Sequence, residues 1–147
     1  MENEMLFGRP NSRTRINIDI FINFGNDEIF HKKIQAKPGI SALDALAEVA
    51  QIDYLPDDSA TAHHGAMVTG INGFKVDLHH FWMYYAFMND QPGWSLPMCT
   101  PDSFAITGDC RLGWRYHTKA DEADTLRYGP LYSSSCINKI RRCGRQF

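Results

Sequence analysis

A chain of 147 residues, 44% apolar and 22% charged, has the size and make-up of one globular domain, and wholesale disorder is excluded. Fifteen Lys and Arg against seventeen Asp and Glu leave a net charge of −2. That balance is wrong for a protein whose main work is gripping nucleic acid or an anionic membrane surface, so neither is expected as a partner.

Nine Phe, six Tyr and three Trp are the unusual component, and the functional reading turns on where they fall. The first residues, Met1 to Phe7, lack the positive start and continuous apolar stretch of a secretory signal. The longest apolar run, Phe81 to Met88, is far short of the roughly 20 residues that span a bilayer. A cytoplasmic protein is therefore expected, and Cys99, Cys110, Cys136 and Cys143 are read as thiols. No Cys-x-x-Cys spacing points to zinc.

Residues 1–14 show no periodicity and read as a flexible arm. From Ile16 to Phe24, β-branched and apolar residues alternate with Asn17, Asp19, Phe21 and Asn23, the period of a strand with one buried face. Gly25-Asn26-Asp27 supplies hairpin-turn chemistry, and a second strand runs from about Ile29 to Gln35. Ser41 then caps a helix in a capping-box variant with Asp44, and Leu43, Leu46, Ala47 and Ala50 form its apolar stripe. Asp53 to Ala60 reads as a loop.

A third strand is expected over Ala66 to Asn72, ending at the turn Asn72-Gly73, and a fourth over Phe81 to Met88. The fourth is apolar on both faces, which predicts a position in mid-sheet. Phe81, Met83, Tyr85 and Phe87 point one way, and Trp82, Tyr84, Ala86 and Met88 the other. Ser103–Thr107 and Cys110–Tyr116 read as a final hairpin with Leu112, Trp114 and Tyr116 on one face. Residues 119–147 lose the pattern and hold six basic against three acidic side chains, a basic tail that either wraps the domain or stays mobile. The order strand, strand, helix, then strands is that of an α+β chain with a β-grasp-like mixed sheet packed on a single helix, occupying residues 15–118.

Ile71-Asn72-Gly73, then Phe81-Trp82-Met83-Tyr84-Tyr85, then Gly108-Asp109 followed by Trp114-Arg115-Tyr116 resemble the transcobalamin-type C-terminal β-domain, and more narrowly the small bacterial domain family DUF4430. The resemblance spans about residues 14–118 and implies a module that presents a face or pocket to a soluble organic ligand. In cobalamin carriers of this kind a helical barrel domain holds most of the corrinoid. Nothing in this sequence could be that barrel, so no cofactor is assigned and a corrinoid stays one option among flat or hydrophobic molecules.

Aromatic walls bury large areas while Tyr O–H and Trp N–H give direction, so a ligand is expected against Trp82 and Tyr84, with the helix on the Met83 and Phe87 face. Asn72 and Gly73 are expected at one rim, Trp94, Trp114 and Tyr116 as walls, and His79 or His80 at the edge. If the third and fourth strands pair, His63-His64 and His79-His80 lie about 25 Å apart and cannot form one metal site, so no metal is expected. An enzyme reading would use the same pocket, with His79, His80 and Tyr84 as acid–base groups. No nucleophile elbow, phosphate loop, His-Glu-x-x-His or dinucleotide fingerprint accompanies them. A third reading makes the aromatic face a homodimer or partner interface.

Overall fold

The computed structural model describes residues 14–26, 28–55, 65–119 and 129–131. Most of the expected N-terminal arm and basic tail, together with His63, His64, Cys136 and Cys143, lies outside the described residues. The chain is mostly strand, with one short helix among the described residues. None of the helices in that part is long and apolar enough to cross a membrane.

The alternating isoleucines form strand β1 (Ile16–Asn23), which turns back through Gly25 into β2 (Ile29–Ala36) in antiparallel register. Ile16, Ile18, Ile20 and Ile22 are all fully buried, each contributing roughly 1.5–3 kcal/mol relative to an exposed position. A two-residue strand β3 (Ile40–Ser41) leads into helix α1 (Ala42–Ala47), whose Asp44 N–H donates to Ser41 Oγ at 3.0 Å. The buried helical face is Ala42, Leu43, Ala45 and Leu46. The expected Ala47 is exposed, because the helix stops after six residues and turns only once toward the sheet.

The segment after the helix is a strand where a loop is expected: β4 (Ile52–Leu55) pairs with β5 (Met67–Ile71). β5 also pairs with β6 (Phe74–Lys75) across Asn72-Gly73, both at positive φ (49° and 87°), a two-residue hairpin turn. β5 does not pair with β7 (His80–Met88), so the hairpin on which the histidine separation rests does not form. Nor is there a final hairpin. β8 (Ala105–Ile106) pairs with β3, while β9 (Cys110–Thr118) runs between β1, parallel, and β7, antiparallel.

The main sheet therefore has the mixed order β2-β1-β9-β7, and β7 is an edge strand, not a central one. Its two apolar faces have two separate covers. Trp82, Tyr84 and Ala86 lie opposite Tyr116, Trp114 and Leu112, and the latter two lie beside Ile22 and Ile20. This register puts Trp82 and Tyr84 in one core with α1, the reverse of the expected face. Met83 and Phe87 instead lie opposite Arg115 and Arg111, on the polar-alternating side of β1 and β9. That side is closed by Trp94, which meets Phe21 and Phe87 edge-on, and by Gly129 and Pro130. Pro130 C=O accepts from Arg115 Nη1 at 3.1 Å and from Asn23 Nδ2 at 3.2 Å. The side away from the helix thus carries Trp94, Gly129 and Pro130 of the chain itself, while the helix shares the Trp82 and Tyr84 face where the sequence places it on the other.

Candidate functional site

Open volume remains on the helix side, beyond the reach of the short α1. A cavity of about 720 Å³ is lined by Trp82, Met83 and Tyr84 of β7, Trp114 of β9, residues 65–68, and the segment 96–101 with Ser103. Tyr84 and Trp114 stack at 5.1 Å between centroids and form its aromatic floor. Among the described residues, none of the lining side chains is Asp, Glu, Lys, Arg or His. Met67, Leu96 and Met98 are exposed at its mouth.

Its walls are tied by short polar contacts. Tyr84 Oη donates to the Cys99 C=O at 2.5 Å, which pins the 96–101 segment to the sheet. Burial, then the neighbouring Cys99, pushes the Tyr84 hydroxyl far above the ordinary tyrosine range, so it remains protonated as the donor. Asp102 joins the two walls, accepting from the Ala66 N–H at 2.9 Å and from Thr100 Oγ1 at 2.7 Å. Slight burial pushes its carboxyl up, but the Thr100 and Ala66 donors outweigh this and hold it below the usual 3.8. Gly65, at φ +113°, leaves no room for a side chain: a Cβ there would stand 1.9 Å from Thr100 Oγ1.

Of the residues expected to meet a ligand, Trp82, Tyr84 and Trp114 are brought together at the cavity. Tyr116 is not among its lining residues. It is sandwiched between His80 (4.6 Å) and Trp82 (5.0 Å) and donates its hydroxyl to the Lys75 C=O. Trp82 Nε1 donates to the Phe74 C=O at 2.7 Å, so the β5–β6 hairpin seals this side. Asn72 and Gly73 form that hairpin's turn, and Asn72 Oδ1 accepts from the Gln51 N–H at 2.8 Å, a structural cap away from either hollow. Trp94 packs on the opposite sheet face. Sequence reasoning missed the role of residues 65–68, read in part as the third strand but not as a wall, and of the segment 96–101, a loop whose only signals are Pro97 and Pro101.

The expected acid–base set is not assembled. His79 and His80 line a second hollow with Val76, Asp77, Leu78, Phe81, Thr118 and Lys119. His80 Nδ1 lies 3.0 Å from Asp77 Oδ1, and the backbone N–H of His79 is the main reason the Asp77 carboxyl sits low. Tyr84 shares a strand face with His80 but stands two rungs of that face away, roughly 13 Å along the strand. Among the described residues, no group of three or more His, Cys, Asp or Glu could hold a metal ion.

A scan against protein-family models finds no match, and no curated protein matches the chain. Solved structures do. A protein from Ruminococcus gnavus ATCC 29149, described provisionally as metal-binding, matches 69% of this chain and 98% of its own length at 11% identity and a TM-score of 0.51. Haptocorrin in complex with Cbi matches 74% of this chain at 11% identity and a TM-score of 0.51. This chain spans 27% of that protein. The expected likeness to a transcobalamin-type domain thus holds at the level of the fold, and no family model supports the narrower assignment.

Proposed function

We propose that this chain is a β-grasp-like binding domain that holds a neutral, apolar organic molecule in the cavity over Tyr84 and Trp114. The strand order β2-β1-β9-β7, with its central parallel pair, supports the β-grasp reading. The observation that carries the function is the cavity itself: about 720 Å³, aromatic-floored and, among the described residues, without a charged side chain in its lining. Its size falls in the range of ordinary ligand sites, and its chemistry rewards desolvation of apolar surface rather than ion pairing. One structural neighbour is described provisionally as metal-binding and the other is in complex with Cbi, which supports small-ligand binding as the theme of the fold. A corrinoid carried by the purified protein would announce itself in the visible absorption spectrum.

The test uses N-phenylnaphthylamine, a neutral apolar fluorophore. It should bind and brighten, with quenching of the tryptophan emission. Met67 is 41% exposed at the mouth, so Met67→Glu leaves the core alone and should weaken binding at least about tenfold by placing a charge at an apolar rim. Equal binding by the variant would remove the cavity assignment.

A second reading is favoured by β4, an edge strand whose Tyr54 and Leu55 are 49% and 57% exposed. Such an edge can pair with a second copy of the chain. Sedimentation of the protein and of Leu55→Lys separates this reading from a monomer.

A further inference from the structure

Among the described residues, the margin of β7 away from β9 carries backbone hydrogen-bonding groups at Trp82 and Tyr84 that pair with no other strand. Ala86 exchanges both its backbone bonds with Ser95, so its N–H and C=O point away from β9. At the other end the His80 C=O accepts from the Asp77 N–H, also away from β9. In an antiparallel ladder the direction alternates residue by residue, so Trp82 and Tyr84 point outward as well. The close side-chain pairs Tyr84–Trp114 and Trp82–Tyr116, at 5.1 and 5.0 Å, are those of non-hydrogen-bonded positions and agree with this parity. Among the described residues, the N–H and C=O groups of Trp82 and Tyr84 have no backbone partner.

We infer that this margin is a strand-addition site for a short extended peptide. The inference rests on the cavity reading and names its ligand class. Two N–H and C=O pairs repeated every two residues match another extended backbone, whereas an isolated amide would satisfy one rung. A peptide residue opposite Tyr84 and a second opposite Trp82 would each exchange two bonds with the strand. Their side chains stand on the same face as Tyr84 and Trp82, inside the cavity, and so must be apolar. The residue between them projects to the Met83 side. With no charged side chain among the described lining residues, the site takes an uncharged internal or capped segment, not a free terminus.

The probe is acetyl-Leu-Thr-Leu-methylamide, compared with analogues N-methylated at both leucines or at the threonine only. Hydrogen exchange of the free protein should show the Trp82 and Tyr84 amides exchanging faster than those of Met83 and Tyr85, which face β9. Saturating peptide should slow Trp82 and Tyr84 at least about tenfold, methylation of the leucines should cost at least about tenfold in affinity, and methylation of the threonine should be tolerated. Equal binding by the leucine-methylated analogue overturns strand addition and leaves the apolar cavity standing. So does failure of the peptide at millimolar concentration while N-phenylnaphthylamine still binds. Failure of both ligands instead overturns the cavity reading with everything built on it. Protection of Trp82 and Tyr84 already in the free protein overturns the inference without any ligand.

Discussion

Gly65 and Tyr84 both fix the 96–103 wall of the cavity, by unrelated means. At Gly65 the backbone adopts φ +113°, and a methyl group would run into Thr100 Oγ1. Gly65→Ala should therefore destabilise the fold by about 1–3 kcal/mol through backbone strain and displace the 96–103 wall, read as a lower denaturant midpoint and weaker N-phenylnaphthylamine binding. Tyr84→Phe removes one donor and leaves the Cys99 carbonyl unmatched, at about 1 kcal/mol, while the stack on Trp114 survives. The same wall carries a built-in reporter. Cys99 is exposed, whereas Cys110 is buried and its thiol is pushed up to about 11, by burial first and then by Asp109 and Asp19. An alkylating reagent near neutral pH should label Cys99 far faster than Cys110, and a bound ligand should slow only Cys99, as peptide mapping by mass spectrometry would show.

Among the elements, β7 separates what the sequence tells from what it hides. Its extent and its double-sided apolarity are plain in the run from Phe81 to Met88, as is the alternation of β1. Local pattern does not say which strand pairs with which. An apolar strand covered on both faces reads the same at the centre of a sheet as at an edge between a helix and a returning loop. The correct face was recoverable in part: Leu112, Trp114 and Tyr116 alternate with Arg111 and Arg115, and only one of those sets can share a core with the β1 isoleucines. The cavity walls were not recoverable. Residues 65–68 and 96–103 come together through Asp102 and Tyr84, long-range contacts that leave no period behind. That linkage gives a pH prediction. The folded Asp102 carboxyl lies below its unfolded value of 3.8, so its contribution is complete above that value and lost as pH falls through the lowered folded one. Acid titration followed by apolar-probe binding should show the loss of binding below pH 3.8 becoming smaller in Asp102→Asn, whose amide oxygen still accepts but does not titrate.

At the scale of the whole molecule the sheet is closed twice, and the two closures differ in kind. On the helix side, α1 and the isoleucine core leave a void that a ligand can enter. On the other side a polar interior of Asn23, Arg115 and His117, each at most 2% exposed, is roofed by Trp94 and Pro130. The Arg115 guanidinium and the Asn23 amide both donate to the Pro130 carbonyl, so the chain's last described residues anchor a buried charge. A chain ending at Tyr128 would strip that acceptor from Arg115 and uncover Trp94 together. The expected loss is on the order of 2 kcal/mol or more, the worth of a hydrogen bond to a buried charged group plus lost apolar contact. Thermal unfolding should therefore start several degrees lower in the shortened chain. Unchanged stability on shortening would mean that Pro130 rests on the sheet without supporting it.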